Sequence, residues 1–223
     1  PVQVGGYNDG SAALYSNCHI SDLRFVKGTA VYTSAFTPPT APLAAISYTS
    51  LLLRGTDAAI IDKSQSVKTI TLNGDVKSST TQTKYLSSSV YFDGTGDTLS
   101  LPDSPSLNFG SGDSTIEMWV YPLGTGTFNL MTRGSSGYSG FILSSTNFLE
   151  STNGSSWAVN ITFSTAITAN SWQHVAVVRN GSAITIYRDG TSVGTASISG
   201  SVSSAAQSLV IGARVGQSNF QGY

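Results

Sequence analysis

Three short strand-like runs separated by tight turns constrain this chain more than any other feature. The runs are Trp172–Arg179, Ile184–Tyr187 and Thr191–Ser197, and the turns between them contain Asn180-Gly181 and Asp189-Gly190. Asn-Gly and Asp-Gly tolerate the positive φ values that a type I′ hairpin turn requires at both central residues. The pattern therefore predicts a three-stranded antiparallel meander, which we expect at the centre of the protein.

The first run of the meander is apolar on both faces. Trp172, Ala176 and Val178 share one face of the predicted strand. Val175 and Val177 share the other face. A strand with this pattern is covered on both sides, inside a layered structure.

Many further short strands are predicted, and no amphipathic helix of useful length. Ser104–Phe109 is compatible with one helical turn, and the Ser/Thr-rich Lys77–Lys84 with a loop. Short strands at close spacing with Gly-rich turns indicate an all-β sandwich. The predicted strands before the meander are Ile46–Arg54, Ile70–Leu72, Val90–Gly94, Asp97–Pro102, Thr115–Pro122, Phe128–Met131, Phe141–Leu143 and Trp157–Phe163.

Composition excludes several classes of protein. Charged residues make up 10% of the 223 residues, against roughly 25% in an average domain, and the net charge is −1. Without a basic patch, binding to nucleic-acid phosphates is not expected. The sequence has no apolar run of membrane-spanning length and no signal-peptide pattern, so membrane insertion is not expected. Cys18 is the single cysteine, which rules out an intramolecular disulfide and a cysteine-cluster zinc site.

The two ends of the chain resemble each other. Gln3–Gly6 is similar to Val210–Ala213, so the chain reads as two incomplete copies of one module. Residues 1–42 would be the C-terminal strands and Pro-rich linker of an upstream repeat. Residues 43–223 would be the next module without its last strand. An open central edge invites aggregation, so either the native chain continues past Tyr223 or residues 17–32 fold back as a permuted closing strand.

Four segments, taken in order, resemble the laminin-G-like, concanavalin A-like jelly roll, a sandwich of two antiparallel sheets. Ile20–Tyr32, continuing into Phe36–Pro39, resembles the closing strand and exit linker of such modules. The version with this linker is similar to modules of marine bacteriophage tail fibres and appendages. The four segments are Tyr91–Leu99, Thr115–Pro122, Trp172–Arg179 and Ile186–Gly190.

The resemblance implies a non-catalytic adhesion or display module of a larger virion appendage that contacts host-surface glycans. It also implies an extracellular position on the virion surface, other modules or virion proteins as partners, and a homo-oligomer. The alternative is a purely structural spacer or a capsid or tail decoration module with no ligand. Because this fold serves lectins, adhesins, enzymes and spacers alike, fold alone does not choose between them.

Catalysis is not expected. Enzymes of this broad fold that cut glucans place acidic residues at alternate positions of one strand. The two glutamates here are Glu117 and Glu150, and no Asp or Glu lies two or four positions after Glu117. His174 lacks a Gly-x-Ser-x-Gly nucleophile elbow elsewhere in the chain and is predicted to be a hydrogen-bonded core histidine.

No cofactor is expected, with structural calcium as the one candidate. Asp62 resembles a position that binds calcium in some related modules, where it meets the aspartate of the closing strand, here Asp22. Asp93 and Asp97 form another loop pair. The simpler interpretation is that these aspartates cap turns through hydrogen bonds to the backbone, because the loops lack clustered acidic residues.

Sugar recognition would use exposed aromatic side chains beside polar groups. Tyr138 lies in the Gly/Ser-rich segment 134–140 and is the best candidate. Trp157 follows Asn153-Gly154-Ser155 and would border the same face, or else pack inside the sandwich as large aromatics usually do.

Overall fold

A computed structural model describes residues 14–15, 17–56, 59–134, 138, 140–203 and 207–214. This part of the chain consists of short strands, loops and one 3₁₀ turn at Pro105–Leu107, within the helical turn predicted there. No helix in it is long and apolar enough to cross a membrane. The strands are β1 Leu14–Tyr15, β2 Asn17–Lys27, β3 Thr49–Gly55, β4 Ile60–Asp62, β5 Thr71–Asn73, β6 Lys77–Ser79, β7 Ser89–Asp93, β8 Thr98–Leu101, β9 Ser114–Pro122, β10 Asn129–Arg133, β11 Phe141–Ser144, β12 Asn147–Glu150, β13 Val159–Thr162, β14 Gln173–Asn180, β15 Ala183–Arg188, β16 Thr191–Ser197, β17 Leu209–Ile211 and β18 Ala213–Arg214.

Two antiparallel sheets form a jelly-roll sandwich, which confirms the predicted all-β class. The seven-stranded sheet has the order β13-β12-β11-β10-β17-β8-β5. The nine-stranded sheet has the order β16-β15-β14-β9-β2-β3-β4, with β7 and β6 attached beside β2. Alternate residues of each strand enter the core between the sheets, as Ile116, Met118 and Val120 of β9 do. Burying each such side chain contributes about 1.5–3 kcal/mol.

Strand β2 lies inside the nine-stranded sheet. Its residues pair with β9 on one side and with β3 and β7 on the other. Residues 17–27 are therefore an interior strand of this sheet, and the permuted closing strand stays a prediction. The tandem-repeat division at residue 42 stays a prediction, and residues 3–6 and 220–223, on which it partly rests, lie outside the described residues.

The meander is not at the centre of its sheet, contrary to the sequence-based expectation. Strands β14, β15 and β16 form one side of it, and β16 is an edge, because β2 and β9 occupy the middle. The turn at Asp189-Gly190 has positive φ at both residues, as predicted. The other turn consists of Gly181 and Ser182 instead of the predicted Asn180-Gly181, because Asn180 still pairs with Ala183 in the strand ladder. Of the two turn residues, Gly181 alone has positive φ.

Several short strands were not predicted, and β6 and β12 are two of them. β6 lies within the predicted loop Lys77–Lys84, and its backbone pairs with β7 although its side chains are polar. β12 completes the Phe141 hairpin. Both are too short to show a clear alternation, and the neighbouring strand supplies the hydrogen bonds that define them.

The loop between β2 and β3, residues 28–48, crosses the outer face of the nine-stranded sheet, and we call it the strap. Tyr32 and Phe36 of the strap stack with ring centroids 3.6 Å apart and pack on Ala176, Val178 and Tyr187. The strap thus covers the second face of β14. This explains why β14 is apolar on both sides, as its sequence indicated.

A buried carboxylate lies beneath the strap. Glu117 Oε1 accepts hydrogen bonds from both Nε and Nη2 of Arg24, with Nε at 2.8 Å. Glu117 Oε2 accepts from the Tyr32 hydroxyl at 2.6 Å and lies 3.1 Å from His174 Nε2. Burial would raise the pKa of Glu117, but the hydrogen bond from His174, the charge of Arg24 and the Tyr32 hydroxyl outweigh it, so the pKa is lowered.

The other glutamate lies between the sheets. Arg179 Nη1 lies 3.7 Å from Glu150 Oε1, beyond hydrogen-bond distance, because the guanidinium donates instead to the carbonyls of Gly110, Gly181 and Gly200. Burial raises the pKa of Glu150 to about 7, and Arg179 only partly offsets this.

The strap is held against the Asp189-Gly190 turn, which allows a test with matched glycines. A Cβ on Gly190 would lie 1.6 Å from the Phe36 carbonyl oxygen, whereas a Cβ on Gly181 would meet nothing within 4 Å. Both residues have positive φ. We expect Gly181→Ala to cost about 1–2 kcal/mol of unfolding free energy from backbone strain alone. Gly190→Ala should cost a further 1–3 kcal/mol or so, since the strap must move. Denaturant unfolding measures the free energy of unfolding of both variants. Equal losses in the two variants would contradict the expectation and show that the strap can move without cost.

The two glutamates should affect stability with opposite pH dependence. Glu117→Gln leaves Arg24 without its buried counter-charge and should cost about 3–5 kcal/mol at neutral pH. Because the pKa of Glu117 is lowered by folding, this contribution is present above the unfolded value and is lost as pH falls.

Glu150 is the matched control. Its raised pKa means that the wild type loses stability as pH rises from the unfolded value through about 7. Glu150→Gln removes this loss, so the variant should gain relative to wild type at alkaline pH. Unfolding free energies of the wild type and both variants, measured at acid, neutral and alkaline pH, test this opposite pH dependence. If the two variants changed in parallel with pH relative to the wild type, the expectation would be wrong.

Candidate functional site

Tyr138 and Trp157 lie together at the surface. Their ring centroids are 5.2 Å apart with an interplanar angle of 66°, an edge-to-face contact. Tyr138 is 42% exposed and Trp157 is partly exposed. The structure therefore places Trp157 beside Tyr138, as one of the two sequence-based interpretations expected.

The loop before Trp157 holds it by local hydrogen bonds. Asn153 Oδ1 accepts from the backbone N–H groups of Ser155 at 2.8 Å and Ser156 at 3.0 Å. Gly154, at φ 72°, forms an isolated β-bridge with Tyr138 and donates to Ser151 Oγ at 3.0 Å. An Asn side chain that bonds its own backbone two residues on makes a compact turn. The aromatic pair is thus tied to the edge of the sandwich, and residues 135–137 and 139 lie outside the described residues.

The arrangement suits contact with an uncharged ligand. Both rings keep part of their surface in solvent, and the exposed residues Ser155 and Ser156 lie in the adjoining turn. Apolar ring surface beside hydroxyl and amide groups is the combination that binds sugar rings.

The structure gives Asp62 and Asp22 separate environments. Asp62 Oδ1 accepts from the N–H groups of Leu52 and Ser64, and Oδ2 accepts from Ser64 Oγ and the N–H of Lys68, all at 2.8–3.1 Å. Its carboxylate therefore holds the loop after β4 through these hydrogen bonds. This is the turn-capping role that the sequence offered for Asp62 as the alternative to calcium binding.

Asp22 pairs with Arg54 Nε at 3.2 Å. Its other oxygen is buried and has no hydrogen-bond partner among the described residues. Burial raises the pKa of Asp22, and Arg54 opposes this. Calcium at Asp62 and Asp22 stays a prediction.

A different group of carboxylates converges beside β7 and β8. Ligand oxygens of Asp75, Asp93 and Asp97 lie within 4.8 Å of one another. Asp97 is fully buried and accepts from the N–H groups of Asp75 at 2.8 Å and Asp93 at 3.0 Å. Burial raises the pKa of Asp97 to about 6. Sequence analysis noted Asp93 and Asp97 but missed Asp75, whose position depends on β5 pairing with β8.

Neither glutamate forms a catalytic acid pair. Glu117 projects from the outer face of β9 beneath the strap, and Glu150 belongs to β12 in the opposite sheet. Glu117 and His174 are both 0% exposed. The prediction that His174 is a hydrogen-bonded core histidine is confirmed by its contact with Glu117. Sequence reasoning missed Arg24 and Tyr32 as partners of this pair, because nothing in their local pattern links them to β9.

Comparison with known proteins identifies the family of the chain. The family model described as "Concanavalin A-like lectin/glucanases superfamily", of the laminin G type, matches residues 93–223. No curated protein sequence matches the chain.

Solved structures with a similar fold include toxin binding domains. They include the receptor binding domain of botulinum neurotoxin C/D mosaic serotype, with TM-score 0.60, 14% identity, and coverage of 77% of this chain and 44% of that one. The binding domain of Paraclostridial Mosquitocidal Protein 1 gives TM-score 0.58, 14% identity, and coverage of 75% and 44%. The binding domain of botulinum neurotoxin DC in complex with SialylT gives TM-score 0.54, 14% identity, and coverage of 74% and 43%.

This chain spans less than half the length of those toxin domains, and identity this low shows a shared fold alone. The family match, in contrast, shows membership, because it extends over more than half of the chain and includes strands of both sheets. The chain belongs to the concanavalin A-like lectin/glucanases superfamily.

Proposed function

We propose that the chain is a non-catalytic glycan-binding module that presents Tyr138 and Trp157 to sugars on a host cell surface. The observation that carries this proposal is the exposed edge-to-face pair, fixed to a hydrogen-bonded turn at the rim of the sandwich. Aromatic side chains mostly bury their surface, so a Tyr138 that is 42% exposed beside a partly exposed Trp157 favours contact with a ligand.

Several observations support a binding role over an enzymatic one. The two glutamates lie on different sheets, and Glu117 is sealed beneath the strap with every partner internal. Similar folds among solved structures are named binding domains, and one of them is named as a complex with SialylT. Catalysis by paired carboxylates would need two acids on one accessible face.

The wider setting proposed is a virion appendage such as a phage tail fibre. The closing-strand and linker segment Ile20–Pro39 resembles modules of such fibres, and the low charged content suits long polar β surfaces. The module would lie outside cells on the virion surface, join other modules or virion proteins, and assemble as a homo-oligomer.

A structural spacer with no ligand is the second candidate. Its specific support is that Tyr138 also forms a backbone bridge to Gly154, so the aromatic pair joins two loops whether or not a sugar is present. In that case the rings would serve packing, and the module would contribute only length and stiffness.

A glycan array separates the two candidates. We expect wild-type protein to bind a subset of neutral glycans, and Tyr138→Ala and Trp157→Ala to lose about tenfold or more in affinity as ring contacts disappear. Unfolding free energy should change little for Tyr138→Ala, whose side chain is 42% exposed. Tyr48→Ala, an aromatic that is 68% exposed elsewhere, is the matched control and should bind as wild type.

Absence of binding across the array would support the spacer. Running the array and a thermal melt with added calcium and with EDTA also tests the Asp62 and Asp22 hypothesis. Because Asp62 already accepts four hydrogen bonds from the protein, we expect EDTA to leave the melting temperature unchanged.

A further inference from the structure

Glu150 lies at the base of the hairpin that carries Trp157. It is the last residue of β12 and pairs with Val159, the first residue of β13. Residues 151–158 therefore form the hairpin loop, and the Glu150 carbonyl closes this loop by accepting from the Ala158 N–H at 2.9 Å. A movement of Glu150 thus acts on the backbone next to Trp157.

The carboxyl of Glu150 is buried and incompletely hydrogen-bonded. Its Oε1 has no hydrogen-bond partner in the described part of the chain, although Arg179 Nη1 lies 3.7 Å away. A cavity of about 10 Å³, room for roughly one water molecule, lies beside both side chains. The other side chains that line it are all neutral, namely Phe109, Ser114, Phe148, Val177 and Ile184.

One charged side chain faces this carboxyl from the elements packed against it. Within the described residues that group is Arg179 of β14, across the core. In the same sheet, the flanking residues are the neutral Phe141 of β11 and Val159 of β13. Arg133 of β10 lies one strand beyond Phe141, and its guanidinium is paired with Asp103. A change of charge on the carboxyl therefore acts mainly on Arg179.

Arg179 holds three loops at one end of the sandwich. Its guanidinium donates to the carbonyls of Gly110 at 3.2 Å, Gly181 at 3.1 Å and Gly200 at 2.8 Å. Asp113, the acidic side chain of this end, accepts from the Gly181 N–H at 2.7 Å. The guanidinium is thus placed between three loop carbonyls on one side and the Glu150 carboxyl on the other.

A path of hydrogen bonds leads from Gly200 to the aromatic pair. In the segment that follows Gly200, the Ser203 N–H donates to the Ser151 carbonyl at 2.7 Å. Ser151 begins the hairpin loop, and its Oγ accepts from the Gly154 N–H at 3.0 Å. Gly154 in turn forms the bridge to Tyr138. A displacement at Gly200 therefore reaches the backbone that positions the pair.

We propose that Glu150 is a proton-sensing residue that regulates the Tyr138 and Trp157 site through Arg179, an inference that rests on the proposed binding function of that site. While Glu150 is neutral, Arg179 donates to the three carbonyls and the loops are fixed. When Glu150 ionises, its charge attracts Arg179, and a shift of about 0.8 Å gives a normal N–H···O distance. Because the guanidinium is planar and rigid, it cannot keep all three carbonyls as it moves, so the hairpin loop loses an anchor.

The direction of regulation follows from the two protonation states. Burial raises the pKa of Glu150 to about 7. The neutral form therefore dominates at about pH 6 and the ionised form at about pH 8. The site is better ordered at the lower pH, and we expect its glycan affinity to be about fivefold higher there.

Fluorine NMR of the full chain labelled with 5-fluorotryptophan tests the coupling without a ligand. Trp157→Phe identifies the Trp157 resonance among those of the three tryptophans. We expect this resonance to shift with pH around a midpoint of about 7. Glu150→Gln stays neutral, so it should hold the resonance at its low-pH position.

Two further variants test the route and the specificity. Arg179→Lys keeps a cation beside Glu150 but cannot donate to three carbonyls at once, so the Trp157 resonance should lose most of its pH response. Asp97→Asn is the matched control, because Asp97 is another buried carboxyl whose pKa is raised, to about 6, and it lies outside the path. Its Trp157 titration should equal that of the wild type. Thermal melts identify any variant that fails to fold.

The glycan array, run at about pH 6 and about pH 8, tests the consequence for binding. We expect wild-type affinity to fall about fivefold at the higher pH and the affinity of Glu150→Gln to be the same at both.

Four results would overturn the proposal. They are a Trp157 resonance that does not titrate in folded wild type, one that titrates equally in Glu150→Gln, one that titrates fully in folded Arg179→Lys, and equal glycan affinity of the wild type at both pH values. Equal affinity that still depends on Tyr138 would leave the proposed function standing. Conversely, absence of glycan binding at both pH values, with a Trp157 resonance that titrates through Glu150, would remove the proposed function and leave the coupling in place.

Discussion

One buried carboxylate joins the parts of the nine-stranded sheet that are distant in sequence. Glu117 of β9 contacts Arg24 of β2, His174 of β14 and Tyr32 of the strap. Its charge is compensated by the Arg24 guanidinium and by hydrogen bonds, which is the condition for keeping a carboxylate out of water. The N-terminal segment, the central strand and the meander are thus joined at one point, and the strap can close only over a satisfied network.

The strap decides which part of the outer face of the nine-stranded sheet is covered. The strap packs on Ala176, Val178 and Tyr187, so the middle of that face is not available. Exposed aromatic surface remains at the Tyr138 and Trp157 pair. Loops hold this pair, because Gly154 bridges to Tyr138 and the Asn153 side chain fixes the turn before Trp157.

Sequence reasoning located Tyr138 but not the ring contacts of His19 with Tyr91 and Tyr121. Tyr138 lies in a Gly/Ser-rich segment, and an aromatic there is visible as an exception to its surroundings. His19, Tyr91 and Tyr121 are separated by many residues and meet only through the register of β2 with β7 and β9. The sequence did indicate that these residues lie on predicted strands and point away from the core. It did not indicate which strands are neighbours, because the alternation of polar and apolar residues within a strand carries no information about its partner.

The sequence by itself determined the all-β sandwich, the tight Asp189-Gly190 turn and the two-faced burial of β14, because alternation and turn chemistry are local. Tertiary structure decided that β2 lies between β9 and β3, that the meander forms one side of its sheet, and that Glu117, Arg24 and Tyr32 meet. Long-range strand pairing depends on which edges bury the most apolar surface together, and that is a property of the whole assembly of strands.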